Sequence, residues 1–478
     1  MSDERPIIVA VVGHANTGKT SVLQTLLRRR DFGVVSPHGG TTRTVEVGEI
    51  AFGRGIVARV LDTPGLEESI RLRDLLEDQR IDRSEDARTL LGRMLALDAC
   101  ATGGELELEA AALKAAGDAD VLLYAIDARE SPRPRHLDEL DVLAATARPL
   151  VPLLNFVARP EALTAEWREA CARRGLHATV AFDAVVYDDG SERRLLEAMR
   201  ALVPDRSGMI DRWIDGRTRE TADARRAAID VIANWFVDAA AATILTPPPS
   251  GGTSQREDSF AKASDALVDR LRVAETEMRT SVAECYGFKG EEATGTTLEI
   301  VDAIGGVDFT GAASLERTGL WAAGGGASLL AAGAVADAAV GGLSLGGFTI
   351  LGAAGAALGA AGATGGKLLR RWRGQQEVRL GEEGLQVLMR RALATMIAFE
   401  RRGHAAIEPV RIEDVVADVL TRPVPPSIMD ACRTVRRRPG WSRLSEPREL
   451  GGGLASRADA VSRLADVIGS TTGSLAST

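Results

Sequence analysis

The residues Gly13-His14-Ala15-Asn16-Thr17-Gly18-Lys19-Thr20 follow directly on the apolar run 6–12. A strand, a glycine-rich turn and a Gly-Lys-Thr opening a helix, expected over 21–30, make a phosphate cradle. The glycines let backbone amides curl around phosphate oxygens, and the helix N-terminus adds its positive end. In such a cradle Gly13, Asn16, Thr17, Gly18 and Ser21 enclose the phosphates of a nucleotide. Lys19 reaches the β and γ phosphates, and Thr20 binds Mg2+. His14 stands at a variable position of the loop and reads as a spacer.

A second element, Gly40-Thr41-Thr42-Arg43, follows the first helix after a loop. A threonine there completes a Mg2+ shell only while a γ-phosphate is present, which gives Thr42 a role in the reaction. The third, Leu61-Asp62-Thr63-Pro64-Gly65, ends a strand. Asp62 then holds Mg2+ through water, and the Gly65 amide senses the γ-phosphate. Either element alone reads equally well as a turn between strand and helix; the order of all three argues against chance. A small-molecule kinase is disfavoured, because DTPG after GTTR belongs to nucleotide switches.

Taken together, GxxNxGKT, GTTR and DTPG resemble the Era-like GTPases, the branch containing Era, EngA, TrmE and the septins. The resemblance covers residues 6–205, and the remainder is similar to a bacterial subgroup in which this domain is fused to a C-terminal domain of unassigned function. It implies GTP and GDP as ligands, hydrolysis of GTP to GDP and phosphate with Mg2+, and homodimers through the switch regions, as many relatives form. Asn16 matches the position where potassium-using members ligate K+ in place of an arginine finger; a turn asparagine satisfying backbone amides is the competing reading. Leu66 stands where Ras-type enzymes carry the glutamine that orients the attacking water, so turnover is expected to be slow or to use another group. The fourth motif departs from the family. Asn155 fits NKxD, but Ala158 occupies the place of the aspartate that accepts two hydrogen bonds from guanine, at about 1.5 to 3 kcal/mol each. Asp183 matches the loop that touches the base, and is read either as a substitute carboxylate or as a strand-ending aspartate at a turn.

These residues need a scaffold. Short aliphatic runs at 7–12, 56–61, 121–126, 150–154 and 178–182 alternate with helical stretches, as in a doubly wound, mainly parallel α/β domain over 1–205. The stretch between Gly65 and Val121 exceeds the roughly 30 residues of a βαβ unit. The excess, 68–109, is rich in Arg, Asp, Glu and Leu and predicts one or two added helices. Placed directly after Gly65, it is the natural carrier of a nucleotide-dependent movement.

Residues 206–316 are mostly helical in pattern, with Ile229, Ile232, Trp235, Phe236 and Ala239 on one face and a linker at 246–256. From 318 to 366 the chain is packed with Gly and Ala and carries one charge, Asp337. Arg317 precedes this segment, and Lys367, Arg370, Arg371 and Arg373 follow it. That pattern over 317–373 fits a helical hairpin contacting a membrane with its basic ends on one side. Gly and Ala contribute little transfer energy, so a soluble, tightly packed hairpin is the alternative. Over 374–478, Leu385, Leu388, Ala392, Met396 and Phe399 mark an amphipathic helix capped by Gly403, and the stretch from 451 predicts a short helix and a tail.

A chain of 478 residues with net charge −9 is expected to hold two or three domains and to bind no specific nucleic acid, since phosphate neutralisation needs a basic face. Cys100, Cys171, Cys285 and Cys432 lie far apart and outline neither a zinc site nor a disulfide framework. The N-terminus MSDERP lacks the basic region and apolar core of a signal peptide. A cytoplasmic setting is expected, at the inner face of the plasma membrane if the hairpin engages lipid.

Overall fold

The computed structural model describes residues 5–33, 42, 44–53, 55–80, 85–246, 253–288, 315–318, 377–405, 423–445 and 454–475. Its residues form two compact units, 1–223 with 400–410 and 224–399 with 411–478.

The first unit is built on a six-stranded sheet ordered β2-β3-β1-β4-β5-β6. The strands are β1 (Ile7–Val12), β2 (Glu46–Phe52), β3 (Gly55–Asp62), β4 (Val121–Asp127), β5 (Leu150–Asn155) and β6 (Val180–Ala181). All pairings are parallel except that of β2 with β3. Strand alternation divides the core between two faces. Ile7, Val9 and Val11 pack with α1 (Lys19–Leu27), α7 (Asp189–Leu202) and the start of α8 (Ser207–Ala241). Ala10 and Val12 pack with α2 (Ser69–Gln79), α3 (Ala87–Leu95), α4 (Glu107–Asp118), α5 (Pro134–Ala144) and α6 (Thr164–Ala172).

The insertion at 68–109 holds α2, α3, a short turn at Asp98–Cys100 and the start of α4. Asp86 caps α3 by accepting from the Thr89 amide at 3.1 Å, and Leu90, Leu91 and Met94 enter the core beside Leu122 and Tyr124 of β4. The antiparallel β2 was not foreseen: it is an edge strand, mostly exposed, with only Gly48 and Ile50 buried, so it lacks the apolar run that marks its neighbours.

In the second unit, β7 (Ile244–Leu245), β8 (Leu315–Thr318) and β9 (Glu377–Leu380) form an antiparallel sheet ordered β7-β9-β8. Among the described residues its helices are the rest of α8, α9 (Thr253–Cys285), α10 (Glu382–Glu400), α11 (Pro426–Val435) and α12 (Leu454–Leu475). Ile229, Ile232, Trp235, Phe236 and Ala239 of α8 are all buried. In α10 the expected face, Leu385, Leu388, Ala392, Met396 and Phe399, is buried, and Glu382 and Glu383 are exposed at its start; from Arg391 to Phe399 the helix is buried all round, so its second half is enclosed rather than amphipathic. The stretch from 451 contains the 22-residue α12, longer than the short helix expected. Among the described residues no helix is long and apolar enough to cross a membrane; the glycine-alanine segment from 319 to 376 lies outside them.

Candidate functional site

The phosphate loop leaves β1 at Val12 and closes on α1. Gly18 has φ +84°, and a Cβ there would lie 2.4 Å from the Asn155 amide nitrogen, so conformation and space both demand glycine. Asn16 also lies in the left-handed region, at φ 63°, with an exposed side chain. The Thr17 hydroxyl donates to the His14 carbonyl at 3.0 Å, and Ser21 is half-buried in the first turn of α1.

Lys19 is buried and donates to the carbonyls of Gly13 at 3.1 Å and His14 at 2.7 Å. Burial lowers its pKa to about 8, against the opposing pull of Asp62, Glu139 and Glu67. A cation held out of water in this way gains strongly from an anionic ligand. The Thr20 hydroxyl donates to Asp62 Oδ2 at 2.6 Å; Asp62 is fully buried and its Oδ1 has no hydrogen-bond partner. Burial raises the Asp62 pKa, with the Thr20 hydrogen bond and Lys19 acting against it.

The DTPG turn lies against the loop. The position of a Cβ on Gly65 is 3.0 Å from the Ala15 amide, the Leu66 amide donates to Gly13 O at 3.2 Å, and the Thr63 hydroxyl donates to Val11 O at 2.7 Å. The Leu66 side chain is turned into the core beside Leu72. Thr42 is half-buried; Gly40, Thr41 and Arg43 lie outside the described residues.

Sequence reasoning gave His14 no role, yet it anchors this junction. Its Nδ1 lies 2.9 Å from Glu139 Oε1 and 3.1 Å from Leu66 O, while Tyr124 donates to Glu139 Oε2 at 2.9 Å. Glu139 comes from α5 and is fully buried. The hydrogen bond to Glu139 raises the His14 pKa above its ordinary 6.5, against the cost of burial. No spacing rule links residue 14 to residue 139, so only the fold reveals the pair.

At the other end of the site, Asn155 is fully buried and serves as a brace. Its Nδ2 donates to Thr17 O at 3.1 Å, and its Oδ1 accepts from the amides of Phe156 at 2.9 Å and Ala184 at 3.0 Å. Phe156 stands where the motif expects lysine, and the Arg129 guanidinium lies 4.0 Å above its ring. Arg129 was also missed, because it comes from the end of a different strand. The Asp183 carboxylate accepts from the amides of Val185 at 2.9 Å and Val186 at 3.1 Å through Oδ1, and from Ala158 at 3.1 Å through Oδ2. The fold therefore brings Asp183 to the residue that lacks the motif's carboxylate.

Residues 8–156 match the family model described as 50S ribosome-binding GTPase. The tRNA modification GTPase MnmE of Rhodopseudomonas palustris (strain BisB5) is 37% identical over 78 residues, 16% of this chain and 16% of that protein. The GTPase Der of Nautilia profundicola is 35% identical over 86 residues, 18% of each chain. The matched stretches thus span less than a fifth of these relatives' own lengths. Among solved structures, an Aquifex aeolicus Era variant bound to GDP.AlF4- is 24% identical and covers 41% of this chain and 56% of its own, with a TM-score of 0.29. Residues 168–465, more than half of the chain, match the model described as Domain of unknown function (DUF3482). The chain belongs to the DUF3482 family, and an Era-like P-loop GTPase domain forms its N-terminal part.

Proposed function

We propose that the chain is a GTP-binding switch that hydrolyses GTP to GDP and phosphate with Mg2+ and couples its nucleotide state to the C-terminal helical domain. The observation that carries this reading is the junction of Lys19, Thr20 and Asp62, where a buried ammonium lies close to a buried carboxylate that keeps one oxygen unpartnered. An oxygen-only pair of this kind suits Mg2+, with Thr20, Asp62 and Thr42 as the residues that would hold it. When bound, the ion would supply charge stabilisation to the phosphoryl group being transferred. The chain contributes the Lys19 ammonium at the same oxygens, backbone amides of the phosphate loop around them, and the Gly65 amide as the sensor of the γ-phosphate.

Guanine is read at the Ala158–Asp183 contact in this proposal. A carboxylate offers about four acceptor sites. Backbone amides take three of those on Asp183, which leaves Oδ2 free for one donor of the guanine edge. One charged hydrogen bond, about 1.5 to 3 kcal/mol, gives a preference over adenine of roughly 10- to 150-fold. Competition of ATP against labelled GTP tests this; equal competition refutes the role of Asp183.

Membrane contact through 318–373 belongs to the same reading. The pairing of Thr318 with Glu377 across β8 and β9 returns the chain to its starting point, as a hairpin requires. Flotation of the full chain with anionic liposomes, with GDP and with a GTP analogue, tests it; no binding in either state leaves the soluble hairpin.

The burial of Leu66 supports a second reading, a nucleotide-binding, membrane-organising scaffold with negligible turnover, because no side chain there orients water. Turnover in K+ and in Na+ separates the two. Stimulation by K+, lost on Asn16→Ala, belongs to the hydrolysing switch; no turnover in either salt belongs to the scaffold.

A further inference from the structure

The loop after β6, which carries Asp183, is held from three sides. From β5, the Asn155 side-chain Oδ1 accepts from the Ala184 amide at 3.0 Å. From α1, the Thr25 hydroxyl donates to Ala184 O at 2.7 Å. The third side comes from the residues just after α10. Val186 pairs with Arg402 in an antiparallel bridge, the Tyr187 amide donates to Arg401 O at 2.9 Å, and the Gly403 amide donates to Val185 O at 2.9 Å. Expected as a helix cap, Gly403 serves instead to allow close approach: a Cβ there would lie 2.1 Å from Ala184 O and 3.0 Å from Val185 O, both backbone atoms that have no room to yield. Arg402 and Gly403 are buried, and Ala405 enters the core cluster that contains Phe182 and Ala184.

We infer that Arg401–Gly403 are positioning residues of the nucleotide site, which hold the Asp183 loop in the form that reads the base. The inference rests on the proposed role of Asp183. Val185 and Val186, whose amides fix Asp183 Oδ1, are the same residues that pair with Gly403 and Arg402. Releasing the segment frees those amides to turn away, and the carboxylate loses its set orientation at Ala158. The base end of the site is therefore shared between the GTPase domain and a segment of the C-terminal half, whereas the phosphate end is made by residues 13–66 with Glu139. Since residue 401 follows α10 directly, displacement of that helix end alters base discrimination before it alters phosphate binding.

The test uses the full chain in three forms: wild type, Gly403→Ala and Asp183→Ala. Labelled GTP is competed with GTP and ATP in Mg2+, while hydrogen exchange on the wild type is followed with and without GDP. The expected result is that Gly403→Ala lowers the preference for GTP over ATP about tenfold with ATP affinity little changed, and that GDP slows exchange at 183–187 and 401–405 together. An unchanged preference in Gly403→Ala, with GDP protection confined to 183–187, overturns the inference while leaving the base reading intact if Asp183→Ala abolishes selectivity. If Asp183→Ala leaves selectivity unaltered, the base reading itself fails and this inference with it. Should Gly403→Ala not fold, the exchange pattern of the wild type decides.

Discussion

In the proposed nucleotide site, the phosphate end and the base end would do comparable work with unlike means. At the phosphate end, backbone amides, one lysine and a threonine–aspartate pair arise from short contiguous motifs on β1, α1 and β3. At the proposed base end Phe156 and Ala158 stand where the motif's lysine and aspartate are expected, and the loop that carries Asp183 is held by Asn155 and the 401–403 segment. A phosphate can be bound by backbone geometry that any sequence with the right glycines adopts. A base edge needs individual side-chain acceptors, which substitution removes and another loop can replace.

The sharpest way to break this comparison is Lys19→Ala. Loss of charged hydrogen bonds to two phosphate groups, about 1.5 to 3 kcal/mol each, should weaken GTP and ATP alike by at least about 100-fold, as read by equilibrium binding. Asp183→Asn should act on the base alone. The amide puts an NH2 donor where the carboxylate had a second acceptor oxygen, which suits the 2-oxo edge of xanthine better than the 2-amino edge of guanine. GTP affinity should fall roughly 10-fold or more and XTP affinity rise in the same competition assay.

Glu139→Gln should sharpen the contrast from behind the phosphate loop, costing about 1 to 3 kcal/mol in chemical denaturation. The sign of its pH dependence follows from His14, whose folded-state pKa is raised by Glu139. That stabilisation is present in full below the unfolded value of 6.5 and is lost as pH rises through the folded value. The wild type should therefore lose stability above about pH 6.5, and the variant should lose less. The smallest effect expected is on catalysis: Asn16→Ala should leave turnover in Na+ nearly unchanged and remove only the increment produced by K+, measured as phosphate release.

Much of the phosphate end was legible because Gly18, Lys19, Thr20, Asp62 and Gly65 lie in motifs whose chemistry depends on local spacing. The strands beneath them read as aliphatic runs because both sheet faces are covered. β2 did not, since most of its residues face solvent at the sheet edge. His14 with Glu139, Arg129 with Phe156, and Gly403 with Ala184 were illegible for one common reason: each is a pair distant in sequence whose members carry no signal singly. A glycine after a helix suggests a cap, whereas at Gly403 it is the approach of another backbone that requires it.

The most direct test of the central claim is binding of labelled GTP to the full chain with Mg2+, competed by GDP and ATP, with Lys19→Ala as control. The account predicts that GDP competes at equal concentration, that ATP needs roughly a 10- to 150-fold excess, and that the Lys19 variant binds nothing measurable. Equal competition by ATP, or retained binding by Lys19→Ala, would contradict it.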